Sequence, residues 1–463
     1  MEGVRVVVVG AGIAGLAAAH RLRELAAERG TEFEVIVLER ADRVGGKLRT
    51  EPLAGLPIET GAESFLMLDR GAESAALALA RRLGLDRALR HPTGAPAALA
   101  VGQELRPLPA GTLMGVPADP ATVSSVARVV DRDRDEGRPL LGPGEDVAVG
   151  ALVRGRYGDE VVDRLVDPLL GGVYAGRADQ LSLAATMPGL HRSAGQQSTL
   201  GSAVRAALAA SPRPQGTPVF ATVHGGLSRY VEAIVAAARA DLRTGATVRQ
   251  LVGIKGQWRL TVGPTNRSDV VEADAVILAT PAPPAARLLR SVDPAAAGLV
   301  GLLEYASVGL VTLALPAGTV LPELSGFLVP STEGRTVKAA TFFTTKWSDL
   351  EGPVVLRASI GRHGDPDGLR LTDRALIEVV RAELPELIGA PLPAPLAARV
   401  NRWGGGLPQY GVGHVDRVAR VRADLPPTIA LAGAAFDGVG IAACVRSGTA
   451  AAEAVVTAID LKG

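Results

Sequence analysis

The chain has 463 residues, 47% of them hydrophobic and 21% charged, and a formal net charge of +1. That length holds two or three domains' worth of core, and the near-neutral balance gives no whole-molecule reason to expect nucleic acid or a membrane surface. The single cysteine, Cys444, excludes an internal disulfide and a multi-cysteine zinc site, and the six histidines lack metal-ligand spacing, so no metal is expected.

"VRVVVV" (residues 4–9) is a β-branched run that predicts a buried parallel strand. A glycine turn and an Ala/Leu-rich helix closed by Gly30 follow it, and "FEVIVLE" then reads as a second strand ending at Glu39. In this βαβ opening Gly10, Gly12 and Gly15 spell G-x-G-x-x-G. Gly10 permits a tight turn, Gly12 lets a pyrophosphate approach the backbone, and Gly15 lets helix and strand pack closely. The helix N-terminus offers N–H groups to the anion, and Glu39 can accept from ribose hydroxyls. The motif points to a dinucleotide and leaves NAD and FAD open. "ERADRVGGKLRT" continues with Arg43, Gly45, Gly46 and Lys47, and "GAES" (61–64) comes soon after. Paired glycines flanked by cations suit a second close approach to a long anionic cofactor.

Residues 71–85 read as a helix, and residues from about 115 to 210 as mainly helical. "VVDRLVDPLLGGVYAG" crosses the middle of that region, which also holds a charged Gly/Pro-containing connection at 131–146. "SPRPQGTP" (211–218) reads as a linker, followed by a helix at 225–240 and strands at 245–251, 258–262 and 273–281. Strands "YASVGLVTLAL", "SGFLVP" and "GPVVLRASIG" predict an antiparallel sheet, with an amphipathic helix at 373–387. The end returns to strand, loop and helix: "TIALAG", "AAFDGVG", "IAACVRSGTAAAEAVVTAID". A strand ending at Gly433 and a helix beginning near Gly440 can rejoin the first sheet. They would set a second helix N-terminus at the cofactor's far end. In FAD that end is the isoalloxazine, whose N1–C2=O region becomes negative on reduction, a charge that a helix dipole stabilises. Cys444 reads as a small buried residue of this helix. No stretch has the look of a secretory leader or of a transmembrane helix of about 20 apolar residues, and a cytoplasmic enzyme is expected.

Taken together, "ERADRVGGKLRT", "GAESFL", "DPLLGGVYAGRADQLS", "HGGLSRYVEAI", "RWGGGLPQYGVGH" and "GAAFDGVGIAACVRSG" resemble the oxygen-dependent protoporphyrinogen and coproporphyrinogen oxidases, FAD enzymes of haem biosynthesis. The resemblance spans nearly the whole chain. It implies FAD held by Gly10, Ala11, Gly12, Ile13, Ala14, Gly15, Glu39, Arg40, Lys47, Gly61, Ala62, Glu63 and Ser64, to which the glycine–cation pattern adds Arg43 and Gly46. With Cys444 inside a helix and no evident flavinylation motif, the FAD is expected to be non-covalent. Val248 would hold adenine through its backbone, Trp403 would flank the flavin, and Gly440, Ile441 and Ala442 would approach the ring. Gly171 and Gly172 would line a macrocycle cavity. Two departures stand out: Arg177 replaces an acid frequent after "YAG", and "APAALAVG" lacks an arginine that binds a propionate in some relatives. Arg70 and Arg177 become the candidate propionate anchors.

The fold implied is α/β: a Rossmann-like FAD-binding domain from residues 1–75, 215–290 and 400–463, a mixed-sheet substrate domain from 76–114 and 291–399, and a helical insertion at 115–214. The activity implied is oxidation of coproporphyrinogen III to coproporphyrin III, with O2 as acceptor giving H2O2 and a possible hand-off of product to ferrochelatase. No side chain is an evident catalytic acid or base. Protoporphyrinogen IX is the alternative substrate. A flavin amine oxidase walled by Trp403 and Tyr410, and a non-catalytic flavin-binding redox sensor, are the rival readings.

Overall fold

A computed structural model describes residues 4–461 apart from 70, 213 and 215. Its nucleotide-type layer is a five-stranded parallel sheet in the order Asp241–Arg243, Phe33–Leu38, Val4–Val9, Ala275–Leu278, Ile429–Leu431. The valine run works here because both faces of the strand are covered. Val6 and Val8 enter the core beneath helices Ile13–Arg29, Leu227–Ala238 and Ile441–Asp460, while Val7 and Val9 pack under a three-stranded ribbon, Val248–Ile254, Gln257–Val262 and Asp269–Ala273. Alternation along a strand sends neighbours to opposite faces, so a continuous apolar run is what a two-sided layer needs.

The last helix, Ile441–Asp460, is long and apolar enough to cross a membrane by length and composition, against the expectation that no stretch would be. Its Ala451, Ala452, Val455 and Val456 are buried against Leu16, Ala18 and Leu22 of the first helix, so that apolar face serves core packing. The two helices meet closely: a Cβ on Gly448 would lie 2.0 Å from the Ala14 carbonyl oxygen.

A second sheet has seven strands in the order Glu104–Pro107, Ala97–Val101, Gly326–Leu328, Val337–Phe342, Val354–Ile360, Tyr305–Leu315, Ala397–Pro408. All neighbours are antiparallel except Ala97–Val101 and Gly326–Leu328, which run parallel, so the sheet is mixed, as the resemblance implied, and antiparallel among the strands between residues 300 and 400. No hairpin joins those two strands, and nothing local sets their direction. Helix Asp373–Ile388 covers one face, with Leu376, Val380 and Leu384 against Val311, Leu313, Phe327 and Phe342.

The helical region begins later than its composition suggests. Residues 124–148 contain no helix; regular helices start at Val149–Tyr157 and continue through Leu200–Ala209. The acids of the charged connection explain its irregular path. Asp133 accepts from the N–H groups of Leu200 and Gly201 at 2.8 and 2.9 Å, capping the helix there. Asp146 accepts from the Ser182 hydroxyl and from the N–H groups of Ala184 and Gly413. Short acidic side chains bonded to distant backbone hold a loop where a helix would waste them.

Candidate active site

The three glycines of the first turn differ in what surrounds them. Gly10 has φ +105°, and a Cβ there would lie 2.7 Å from the Ala279 carbonyl oxygen. A Cβ on Gly15 would lie 1.9 Å from the Gly10 oxygen, so bare backbone is needed for the helix to sit on its own turn. Gly12 has an ordinary φ of −72° and caps the first helix without a side-chain bond. A Cβ on it would meet nothing within 4 Å. Its glycine is needed by neither backbone angle nor protein packing, which fits a surface reserved for a ligand. Ala11, Ile13 and Ala14 are buried around it.

Glu39 stands one residue past its strand. Its carboxylate accepts from the N–H groups of Ala11 at 2.8 Å and Ala41 at 2.9 Å, which fixes it against the glycine turn. The Glu39 carbonyl accepts from Ala246 at 2.8 Å, bringing in the strand that opens with buried Val248.

The second glycine pair reaches the same place. Gly45 donates to the Ala11 carbonyl at 2.8 Å, and a Cβ on Gly46 would lie 3.2 Å from the Gly12 Cα. Arg43 turns back on this loop, donating to the carbonyls of Val44 and Gly46, so it closes the turn; Arg40 is exposed. Lys47 is half-buried beside Cys444 of the last helix, and burial lowers its amine pKa. Burial pushes the Cys444 thiol up to about 11. The Lys47 carbonyl accepts from Ala62 at 3.1 Å, and a Cβ on Gly61 would lie 2.1 Å from it. Trp403 Nε1 donates to the Thr60 carbonyl at 2.7 Å, and its ring covers Gly61. Ser64 is half-buried in the same loop. At the far end Gly440 caps the last helix without a side-chain bond, with open space where its Cβ would be and Ile441 and Ala442 buried behind it. Two helix N-termini, each starting at a glycine with open space at its would-be Cβ, therefore flank the Gly45–Lys47 loop.

The opposite wall is one face of the seven-stranded sheet, where register sets Ala339, Thr341, Arg357, Ser359, Leu310, Asn401 and Trp403 on the same side. Arg357 donates to the carbonyls of Glu59 at 2.9 Å and Gly61 at 3.3 Å and pairs with Glu63. Lys346 pairs with Glu63 as well. Burial pushes the Glu63 carboxyl upward, but the two cations outweigh it and hold the group below the usual carboxylate range. The Glu63 side chain is thus committed to the sheet, and only its backbone is left for a cofactor. Asn401 Oδ1 and Thr312 Oγ1, in this sheet, are buried without a hydrogen-bond partner.

Gly171 and Gly172 lie in helix Asp167–Tyr174; Gly172 and Val173 are exposed. A Cβ on Gly172 would come within 3.2 Å of Leu328 on the sheet. Arg177 pairs with Asp167 at 3.7 Å. Arg70 lies outside the described residues. Tyr410 is 1% exposed and donates to the Ala434 carbonyl, so it cannot wall a substrate site as the amine-oxidase reading requires.

Sequence reasoning missed Arg357, Lys346 and Lys338. Their one local signal is a cation inside an apolar run, as in "VVLRASI" and "VKAATF".

Residues 13–456 match the flavin containing amine oxidoreductase family. The chain belongs to that family. It is 38% identical to coproporphyrinogen III oxidase of Mycobacterium tuberculosis, over 98% of this chain and 97% of the relative. To the enzyme of the same name from Bacillus subtilis it is 31% identical, over 98% of each. A crystal structure of an Exiguobacterium sp. protein, provisionally named protoporphyrinogen oxidase, superposes with a TM-score of 0.84 at 29% identity over 100% of both chains. A flavin is the cofactor of this family, and the open glycines at 12 and 440 are compatible with one.

Proposed function

We propose that this flavoprotein is an FAD-dependent coproporphyrinogen III oxidase of haem biosynthesis. The observation that carries the reading is the cradle of open glycines at Gly12 and Gly440 in a chain whose full-length relatives bear that name. The reaction balances as coproporphyrinogen III and three O2 giving coproporphyrin III and three H2O2. FAD, when bound, supplies a two-electron acceptor for hydride from an sp³ bridge carbon. The first helix N-terminus takes the pyrophosphate, and Glu39 takes the ribose. Lys47 and the Gly440 helix N-terminus set positive potential at the ring's electron-rich end. Trp403, anchored on Thr60, holds the Gly61 loop against the sheet that forms the substrate side. No side chain is assigned as general base, since the pyrrole N–H proton can leave to water, and positioning carries the catalysis.

Binding of FAD is non-covalent in this reading, supported by a Cys444 that is buried within the last helix. In this reading the chain divides into an FAD-binding part from residues 1–75, 215–290 and 400–463, a substrate part from 76–114 and 291–399, and a helical insertion at 115–214. A cytoplasmic location and passage of product to ferrochelatase belong to the same reading. Protoporphyrinogen IX is the second substrate reading, favoured by the name of the Exiguobacterium structure.

Anaerobic mixing with each porphyrinogen and with a primary amine decides among them. Flavin absorbance should bleach fastest with coproporphyrinogen III. Faster bleaching by protoporphyrinogen IX would reassign the substrate; bleaching by the amine alone would reassign the reaction.

A further inference from the structure

Behind Gly171 and Gly172 of helix Asp167–Tyr174 three cations gather around Asp167. Lys338, on strand Val337–Phe342, is 5% exposed, and its ammonium reaches only the Gly171 carbonyl, at 3.4 Å. Arg362, just past strand Val354–Ile360, donates to the Val329 carbonyl at 2.9 Å. Arg177 pairs with Asp167 at 3.7 Å. Asp167 is 8% exposed and already accepts from the Ala178 N–H at 2.8 Å and the Ser331 hydroxyl at 3.4 Å. Among the described residues, then, Lys338 and Arg362 have no carboxylate in contact.

A buried cation without a contacting counter-charge is unfavourable, and here buried Lys338 is held close to the half-buried Arg362. The direction of the shifts agrees. Burial, then Arg362, lowers the Lys338 amine to about 7, and burial, then Arg177, lowers Arg362. Arg154, elsewhere in the helical region, shows the opposite stoichiometry: one guanidinium shared by Asp159, Asp163 and Asp179. That cluster is complete, whereas no carboxylate touches the Lys338 ammonium, and Asp167, Asp365 and Glu383 act on Arg362 only from a distance.

Its place is informative. Lys338 is the extra residue of a bulge between Val337 and Ala339, so it shares the side of Ala339, which with its register partner Ser359 lies half-buried on the cleft-facing side of the sheet. On the facing helix Gly172 is exposed and Val173 is 42% exposed. The cluster therefore sits at the edge of the substrate cleft, next to glycines that leave no side chain over it.

We propose that Lys338 and Arg362, with Arg177 beside them, form a carboxylate subsite that receives one propionate of the tetrapyrrole substrate. This rests on the porphyrinogen reading and adds to it the residues that would measure the substrate's acidic groups. It also compensates for the missing base in "APAALAVG", since that strand neighbours Gly326–Leu328 and hence the strand of Lys338.

The test is equilibrium binding of coproporphyrin III and of its tetramethyl ester to the holoprotein, which separates carboxylate recognition from macrocycle recognition. Lys338→Met should weaken binding of the acid by roughly 10-fold or more, as expected for a lost charge-assisted bond. Binding of the ester should not change, and Lys338→Arg should restore most of the affinity for the acid. In turnover the same variant should raise KM with little change in kcat. Without porphyrin, Lys338→Met should melt no lower than wild type, because it removes an unpaired buried charge. Equal weakening for acid and ester, or unchanged affinity for the acid, overturns the subsite and leaves the substrate reading intact. If wild type binds neither porphyrin, it is the substrate reading that falls, and the subsite with it. Arg362→Gln, measured in the same way, decides the matter should Lys338→Met fail to fold.

Discussion

At Gly12 the space beside the backbone is empty of protein, so a side chain there would collide with the cofactor alone. Gly12→Val should fold and lose flavin, read as apoprotein with an unchanged far-ultraviolet spectrum; full retention of flavin would remove the turn from the site. Glu39→Ala should be milder. It deletes the acceptor for the Ala11 and Ala41 N–H groups, and flavin affinity should fall by roughly 10- to 150-fold, measured by titration of the apoprotein. Glu59 makes a different point. Burial pushes its carboxyl from 4.5 up to about 7, although the Leu227 N–H and the Thr50 hydroxyl bond to it. A raised folded-state pKa means the fold prefers the protonated acid. Stability is therefore fullest below about pH 4.5 and declines as pH rises towards 7, by about 3 kcal/mol in all. Glu59→Gln keeps the shape and removes the titration. Its urea midpoint should match wild type at pH 5 and exceed it at pH 8; parallel pH curves would count against this.

Helices that look alike in composition differ in what their glycines do. Gly448 faces the Ala14 carbonyl, and Gly448→Ala should force the first and last helices apart and cost about 1–3 kcal/mol. Gly155 lies within helix Val149–Tyr157 with nothing within 4 Å of its would-be Cβ, and Gly155→Ala should stabilise by about 0.5–1 kcal/mol. Chemical denaturation of both variants measures the contrast, and equal signs would refute it. The same difference between local and distant causes decides what the sequence reveals. The opening βαβ unit is legible because strand period, glycine spacing and the acid all lie within about forty residues, and each constrains its neighbour. The parallel pairing of Ala97–Val101 with Gly326–Leu328 is not, because no short segment contains both strands. The connection at 131–146 looks solvated, yet Asp133 and Asp146 cap distant backbone, a role that composition does not report. Arg357 is illegible for the same reason: its partners Glu59, Gly61 and Glu63 lie almost three hundred residues earlier.

On the scale of the whole molecule, that long-range pairing joins the Glu59–Glu63 loop to the seven-stranded sheet. Arg357 holds the Glu59–Glu63 loop by two carbonyls and a carboxylate, and Lys346 holds the same carboxylate. Arg357→Met should leave Glu63 short of a partner in a buried place, at a cost of about 3–5 kcal/mol. Because Gly61 lies in that loop and Trp403 is anchored on its Thr60 carbonyl, flavin fluorescence should appear at a lower temperature on heating, well before the helical region unfolds. An unchanged release temperature would show that the two layers stay joined without it.

The parallel sheet draws its centre from residues 4–38 and its edge from 429–431, with the first helix buried under the last. On the ribosome, chains grow at about 5–20 residues per second. The first glycine turn thus emerges roughly 20–80 s before the helix that must cover it. During that interval the nascent N-terminal unit carries an apolar helix face with no partner. A nascent chain stalled before residue 429 should recruit a chaperone and hold no flavin, whereas one extended past residue 460 should do the reverse. Cofactor capture becomes a report that the last helix has been made and has docked on the first.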